Sequence, residues 1–249
     1  MDGKDNMQAT NINWTDKVWN PVTGCTKVSA GCKNCYAETI ANRFWKDRKF
    51  TDVRVHPERL NQPLKIKKPA KIFVNSMSDL FHETIHPQDT IFIFETMKQS
   101  IQHTFLVLTK RPAKMKSIMN FYNEQLRNVW LGVSVEDQKT ADERIPLLLQ
   151  TPAEVHWLSI EPLLEDINLD TTQLFDNKMR GRHTIDWVVI GCESGPKKRE
   201  CKTEWISKIV WQCQQAKIKV WVKQININGK VVEDINQFPK HLQVRELPA

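Results

Sequence analysis

The sequence predicts an α/β fold, a partial or complete (β/α) TIM-like barrel of about six to seven parallel strands. Two observations predict it. Apolar runs rich in Val, Ile, Phe or Trp start at residues 71, 104, 129, 155, 186 and 218, and continuous runs of that length suit strands buried on both faces. Their starts lie 25 to 33 residues apart, the length of a βα unit.

In chain order, a short strand is expected around Lys17 to Asn20, ahead of a cysteine-rich loop. The six runs follow as "KIFVNSMSD" (71–79), "TFLVLTKRP" (104–112), "VWLGVSVED" (129–137), "VHWLSIEP" (155–162), "DWVVIGCESG" (186–195) and "IKVWVKQ" (218–224). Helical spacing marks "PQDTIFIFETMKQSIQ", which opens with Pro87 and an acidic first turn, and also "KTADERIPLLLQ" and "TEWISKIVWQCQQA". Residues 163–185 read as an extended βα connection with a short helix. The residues after Gln224 read as an appendage, so the barrel is expected over 1–224 and the appendage over 225–249. An open doubly wound sheet is the alternative, but no glycine-rich fingerprint follows the first strand.

The 249 residues are 40% hydrophobic and 26% charged, enough for a well-buried core. No basic stretch followed by an apolar run opens the chain, and no segment approaches the roughly 18 apolar residues of a membrane span. A cytoplasmic protein without membrane contact is expected, in which grouped thiols stay reduced and hold metal or do chemistry. The net charge of +7 and the pI of about 9.1 favour polyanionic partners such as nucleic acid or nucleotides; a solvated positive face would have the same composition. The nine Trp sit mostly in the strand-like runs, where core packing is expected of them.

Cys25, Cys32 and Cys35 follow a C-x6-C-x2-C spacing, with Gly24 and Gly31 each directly before a cysteine. Glycine lets backbone wrap closely around an inorganic centre, and C-x2-C is a metal knuckle. Three thiolates serve a structural zinc only with a fourth ligand, for which Cys192 or Cys201 is available. They serve a four-iron cluster while leaving one iron open to substrate or cofactor. Cys213 falls in an amphipathic helix and is read as a buried thiol.

In either architecture the C-terminal strand ends carry the chemistry. Asn75, Ser76, Ser78 and Asp79, Thr109, Lys110 and Arg111, Ser134 and Glu136, Glu161, Cys192, Glu193 and Ser194, and Lys223 and Gln224 stand there. Lys110, Arg111, Lys114 and Lys116 follow one strand, and Lys197, Lys198, Arg199 and Lys202 another, as candidate phosphate contacts. "HETIH" (82–86) has the H-E-x-x-H form of a zinc hydrolase, but Pro87 follows where that helix should continue, so His86 is assigned to a loop or the next helix's cap. The remaining histidines lack ligand spacing, and no serine-hydrolase elbow or P-loop is present.

"NWTDKVWNPVTGC", "GCKNCYAE", "NSMSDLFHE", "FLVLTKRP", "GVSVEDQKTADERI", "LSIEPLL", "VVIGCESGP" and "VKQ" occur in this order. With them the chain resembles, over most of its length, a family of phage- and prophage-encoded proteins described by a three-cysteine motif and similar to radical S-adenosylmethionine enzymes. The resemblance implies a [4Fe-4S] cluster on Cys25, Cys32 and Cys35, covered in part by Tyr36. It also implies S-adenosylmethionine on the open iron, cleaved by one electron to methionine and a 5'-deoxyadenosyl radical. The usual superfamily spacing is C-x3-C-x2-C; here the first gap is longer, Asn34 replaces an aromatic, and "NSMSD" stands in place of the glycine-rich cofactor segment.

Asn75, Ser76, Asp79, Ser134 and Glu136 are the candidate cofactor contacts, and Lys110, Glu161 and Glu193 the candidate catalytic residues. Lys110, Arg111, Lys114, Lys197, Lys198 and Arg199 are the candidate nucleic-acid or phosphate contacts. The implied partners are an electron donor such as flavodoxin or ferredoxin and a nucleic acid or nucleotide substrate, in a bacterial host cell or a bacterium carrying a prophage. The competing reading is a zinc-stabilised nucleic-acid-binding phage protein without catalysis.

Overall fold

Each apolar run forms a strand with most of its side chains buried, as the run lengths require. A computed structural model describes residues 7–10, 12–169 and 184–248. The strands are β1 (Gln8–Ala9), β2 (Lys17–Trp19), β3 (Val22–Thr23), β4 (Arg54–Val55), β5 (Lys71–Val74), β6 (Thr104–Thr109), β7 (Val129–Val135), β8 (Val155–Ile160), β9 (Trp187–Gly191), β10 (Lys219–Ile227) and β11 (Lys230–Val232). The helices are α1 (Tyr36–Phe44), α2 (Pro87–Gln99), α3 (Pro112–Tyr122), α4 (Gln138–Leu149) and α5 (Thr203–Gln215).

The hydrogen-bonded order is β1-β2-β5-β6-β7-β8-β9-β10-β11, with β3 and β4 paired separately. β5 pairs in parallel with β2 and β6, and β9 with β8 and β10; β1 and β11 are antiparallel additions to β2 and β10. The protein is therefore α/β with a mostly parallel sheet, the expected class. The four short strands β1, β3, β4 and β11 carry two or three residues each, too few for a periodic signal.

The chain forms two compact units. The first comprises residues 1–28, 35–131 and 151–154. Its core holds Trp19 against Phe105, with ring centroids 5.9 Å apart, and Phe73 against Trp14 at 4.9 Å. α2 starts where His86 accepts from the Gln88 amide, ahead of Pro87, which accounts for the histidine beside the proline. α1 and α3 were not among the expected helices. α3 starts at Pro112, a position that favours a helix start, and Lys114 and Lys116 lie on it. α1 buries the pair Ala37 and Ala41, a stripe too narrow and weakly apolar to stand out.

The second unit comprises residues 29–34, 132–150 and 155–249. Trp157 and Trp187 pack at 5.5 Å, and the Trp157 ring fills the space beside Gly132, where a Cβ would lie 2.5 Å from it. α4 is capped reciprocally by Asp137 and Thr140. β10 runs past Gln224 to Ile227 and turns into β11 through Asn228 and Gly229, both at positive φ. The tail returns to β10, with Val222 N donating to Val244 O at 2.9 Å and Glu246 N to Val220 O at 2.8 Å. Most of the short helix expected within 163–185 lies outside the described residues.

Candidate functional site

In the first unit, the start of the cysteine loop is zipped onto the segment after β5. Asn20 Oδ1 accepts from the Met77 amide at 3.0 Å and from Ser76 Oγ at 3.2 Å. Asn75 Oδ1 accepts from Val22 N at 3.2 Å, Ser78 Oγ donates to Val22 O at 2.9 Å, and Gly24 N donates to Met77 O at 2.9 Å. Gly24 has φ 93°, and a Cβ there would lie 2.5 Å from the Asp52 carbonyl oxygen. Only glycine suits that backbone. Cys25, half-buried, follows with its amide on Phe50 O at 2.9 Å. Cys25 and Cys35 both pack against Ala37, Ala41 and Phe50.

Asn75 itself is left-handed (φ 61°) and buried. Its Oδ1 is committed to Val22, and its Nδ2 is a buried donor with no hydrogen-bond partner. Burying an unpaired amide donor costs about 1–3 kcal/mol. Tyr36, which opens α1 directly after Cys35, donates its hydroxyl to Ser76 O at 2.8 Å.

Arg111, just past β6, is buried beneath the same loop. Nε donates to Glu83 Oε1 at 2.8 Å, and Nη1 to Asp79 Oδ2 at 3.1 Å and to Cys25 Sγ at 3.7 Å. Nη2 donates to Thr26 O at 3.1 Å and Thr26 Oγ1 at 3.0 Å. Asp79 also accepts from Thr109 Oγ1 at 2.7 Å and from the amides of Phe81 and Lys110, both at 3.0 Å. Burial opposes the Arg111 charge, but Asp79, Glu83 and Cys25 outweigh it and raise the pKa further. The guanidinium is a permanent cation here.

In the second unit, the middle of the cysteine loop is strapped to strand ends. Gly31 N donates to Glu136 Oε1 at 3.3 Å, while Arg144 Nη1 holds Glu136 Oε2 at 3.0 Å. Asn34 Nδ2 donates to Glu193 Oε2 at 3.0 Å and Lys197 O at 2.9 Å. Arg199 grips both oxygens of Glu193 and donates from Nη1 to Ala30 O at 2.9 Å. Burial alone would raise the Glu193 carboxyl, but hydrogen bonds from Arg199 and Asn34 hold it below its ordinary 4.5. Cys32 sits inside this strapped segment, half-buried, its Sγ 3.9 Å from Ser29 Oγ.

A family model described as "Protein of unknown function (DUF5131)" matches residues 9–247. The chain belongs to the DUF5131 family. No curated protein matches it. Among solved structures, the DUF5131 chain is similar to a double mutant of spore photoproduct lyase with bound AdoMet and dinucleoside spore photoproduct. That likeness has a TM-score of 0.52 at 10% identity over 93% of this chain and 71% of the other. Spore photoproduct lyase complexed with dinucleoside spore photoproduct also matches, with a TM-score of 0.46 at 10% identity over 76% of this chain. This chain spans 59% of the length of that protein. At such identity the first likeness shows the fold alone, an α/β fold shared with spore photoproduct lyase.

The other sequence-predicted residues of this DUF5131 chain divide by environment. Glu136 is fully buried and Glu193 nearly so; both carboxylates hold loop backbone or Asn34 rather than standing free. Arg199 is likewise committed to Glu193 and Ala30. Ser134 Oγ donates to Glu161 O at 3.2 Å. Glu161 meets Lys223 Nζ at 2.6 Å and Gln224 Nε2 at 3.4 Å, all half-buried or buried.

Lys110 is half-buried, Lys198 half-buried and Lys197 exposed. Lys114 Nζ donates to the carbonyls of His82, Glu83 and Ile85, so it braces the 82–85 turn. That turn is not helical, and His82 and His86 do not share a helical face. His82 instead pairs through Nε2 with Thr26 Oγ1 at 2.8 Å. Burial pushes the Cys192, Cys201 and Cys213 thiols each up to about 12.

Asn20, Thr26 and Arg144 were missed by the sequence reading. Arg144 carried a signal, since it shares a buried helix face with Ala141, Ile145 and Leu148, where a cation needs a partner.

Proposed function

We propose that this protein is a radical S-adenosylmethionine enzyme that modifies nucleic acid or a nucleotide, with Cys25, Cys32 and Cys35 holding a [4Fe-4S] cluster. The observation that carries the reading is how heavily the cysteine loop is constrained: a glycine pressed onto backbone at Cys25, a buried carboxylate on the Gly31 amide, and Glu193 with Arg199 fixing Ala30 and Asn34. An incidental trio of thiols needs none of this. The fold shared with spore photoproduct lyase, a structure that binds AdoMet, supports the same reading.

The donor set suits the group. Among the described residues, no three His, Cys, Asp or Glu side chains gather as a single ion requires; a cubane takes one thiolate per iron, so its ligands need not meet at a point. The three thiols are half-buried and form no disulfide. The orphaned Asn75 Nδ2 is a donor awaiting an acceptor, which fits a carboxylate or ribose oxygen of the cofactor better than its amino group.

When bound to Cys25, Cys32 and Cys35, the cluster would supply an electron, drawn from a donor such as flavodoxin or ferredoxin, for reductive cleavage of S-adenosylmethionine. Asn75 and Ser76 orient the cofactor. Glu136 and Glu193 act on the loop, not on substrate. The Glu161–Lys223 pair is the group best suited to hold or move a proton, and Lys110, Lys197 and Lys198 are the candidate cations to meet phosphate. A dinucleoside ligand is bound by the structural neighbour, and the basic charge of this chain suits the same class. A phage or prophage setting fits such a substrate.

The test is anaerobic reconstitution with iron and sulfide, then dithionite and S-adenosylmethionine, assaying 5'-deoxyadenosine with and without oligonucleotide. Product formed by the wild type and absent in Cys32→Ala is expected. A colourless protein holding stoichiometric zinc and making no product would overturn the proposal in favour of a binding module.

A further inference from the structure

Arg111 uses its whole donor set within the first unit. A guanidinium carries five N–H groups in a rigid fork, and here five acceptors meet them: Glu83 Oε1, Asp79 Oδ2, Cys25 Sγ, Thr26 O and Thr26 Oγ1. No donor remains for a substrate phosphate. Three of the five bonds fall on Cys25 and Thr26, so the side chain fixes both the backbone carrying the first thiol and the thiol itself. Two carboxylates of different exposure flank it: the Asp79 side chain is 8% exposed and that of Glu83 63%.

We propose that Arg111 is a positioning residue for the Cys25 thiolate and raises the reduction potential of the cluster bound there. The inference rests on the cluster reading above. Reduction adds a negative charge, so a fixed cation and an N–H···S bond at a ligand sulfur stabilise the reduced state, whereas nearby carboxylates oppose it. Arg111 supplies the cation and the hydrogen bond to sulfur. Glu83 and Asp79 hold the guanidinium in place and partly offset its charge. Lysine cannot substitute, because one ammonium with three donors cannot reach the two carboxylates, the sulfur and Thr26 together.

The experiment compares reconstituted wild type, Arg111→Lys and Glu83→Gln. Iron and sulfide content are measured first, then the midpoint potential by redox titration followed by electron paramagnetic resonance, which reports only on loaded protein. Arg111→Lys should load less iron and shift the potential of the loaded fraction negative. Glu83→Gln, at an exposed carboxylate, should load normally and shift the potential positive, and it keeps the proposal testable if Arg111→Lys does not fold. Opposite shifts support the assignment. Loaded variants that titrate at the wild-type potential overturn it and leave the cluster reading intact, with Arg111 merely bracing the loop. A wild type that takes up no reducible cluster overturns both.

Discussion

The side-chain amide of Asn34 donates to the Glu193 carboxylate at 3.0 Å, tying the residue before Cys35 to the end of β9. Asn34→Ala should cost about 1.5 kcal/mol, the low end for a bond to a charged acceptor because Asn34 is partly exposed. The measurable consequence is faster proteolytic cleavage within 29–34, with global stability lowered by no more than that amount. Equal cleavage rates in variant and wild type would show that Arg199 alone secures the loop.

Glu193 also predicts a pH dependence. Its folded-state pKa lies below the ordinary 4.5, so the unfolded chain takes up this proton first as pH falls. The stabilisation is whole above about pH 4.5 and is lost as pH drops through the folded value. Glu193→Gln should be less stable than wild type at pH 7 and lose less between pH 5 and pH 3, by urea midpoints. Parallel curves for the two proteins would contradict this.

Glu136 is fully buried between Arg144 and the Gly31 amide. Glu136→Ala leaves the Arg144 charge buried without its partner and should cost about 3–5 kcal/mol, read by chemical denaturation. A loss under 1 kcal/mol would mean that Arg144 finds another acceptor.

Gly24→Ala places a Cβ 2.5 Å from the Asp52 carbonyl at φ 93°. The backbone strain alone is worth about 1–3 kcal/mol, and the clash is with main chain, which cannot swing away. Iron uptake should fall more steeply than thermal stability, because the displaced residue is next to Cys25. Gly229→Ala has φ 77° but open space and serves as the control, with normal iron uptake.

Much of this was legible beforehand. Seven strands and three helices follow from apolar runs and periodic faces, because a buried parallel strand must be apolar along its length. The C-x6-C-x2-C loop and its glycines stand out locally, and Pro87 argued against a metalloprotease helix from sequence alone. The hydrogen-bond partners of Glu136, Glu193, Arg111 and Arg199 were not legible. From their places beyond strand ends, Glu136 reads as a cofactor contact, Glu193 as a catalytic residue, and Arg111 and Arg199 as phosphate contacts. Their commitments run to partners 105, 159, 86 and 169 residues away in the chain. Local pattern specifies where strands, turns and thiols fall, since those depend on neighbours in sequence. Whether a buried charge is free to react or already held by a distant amide depends on which strand ends meet, and only folding decides that.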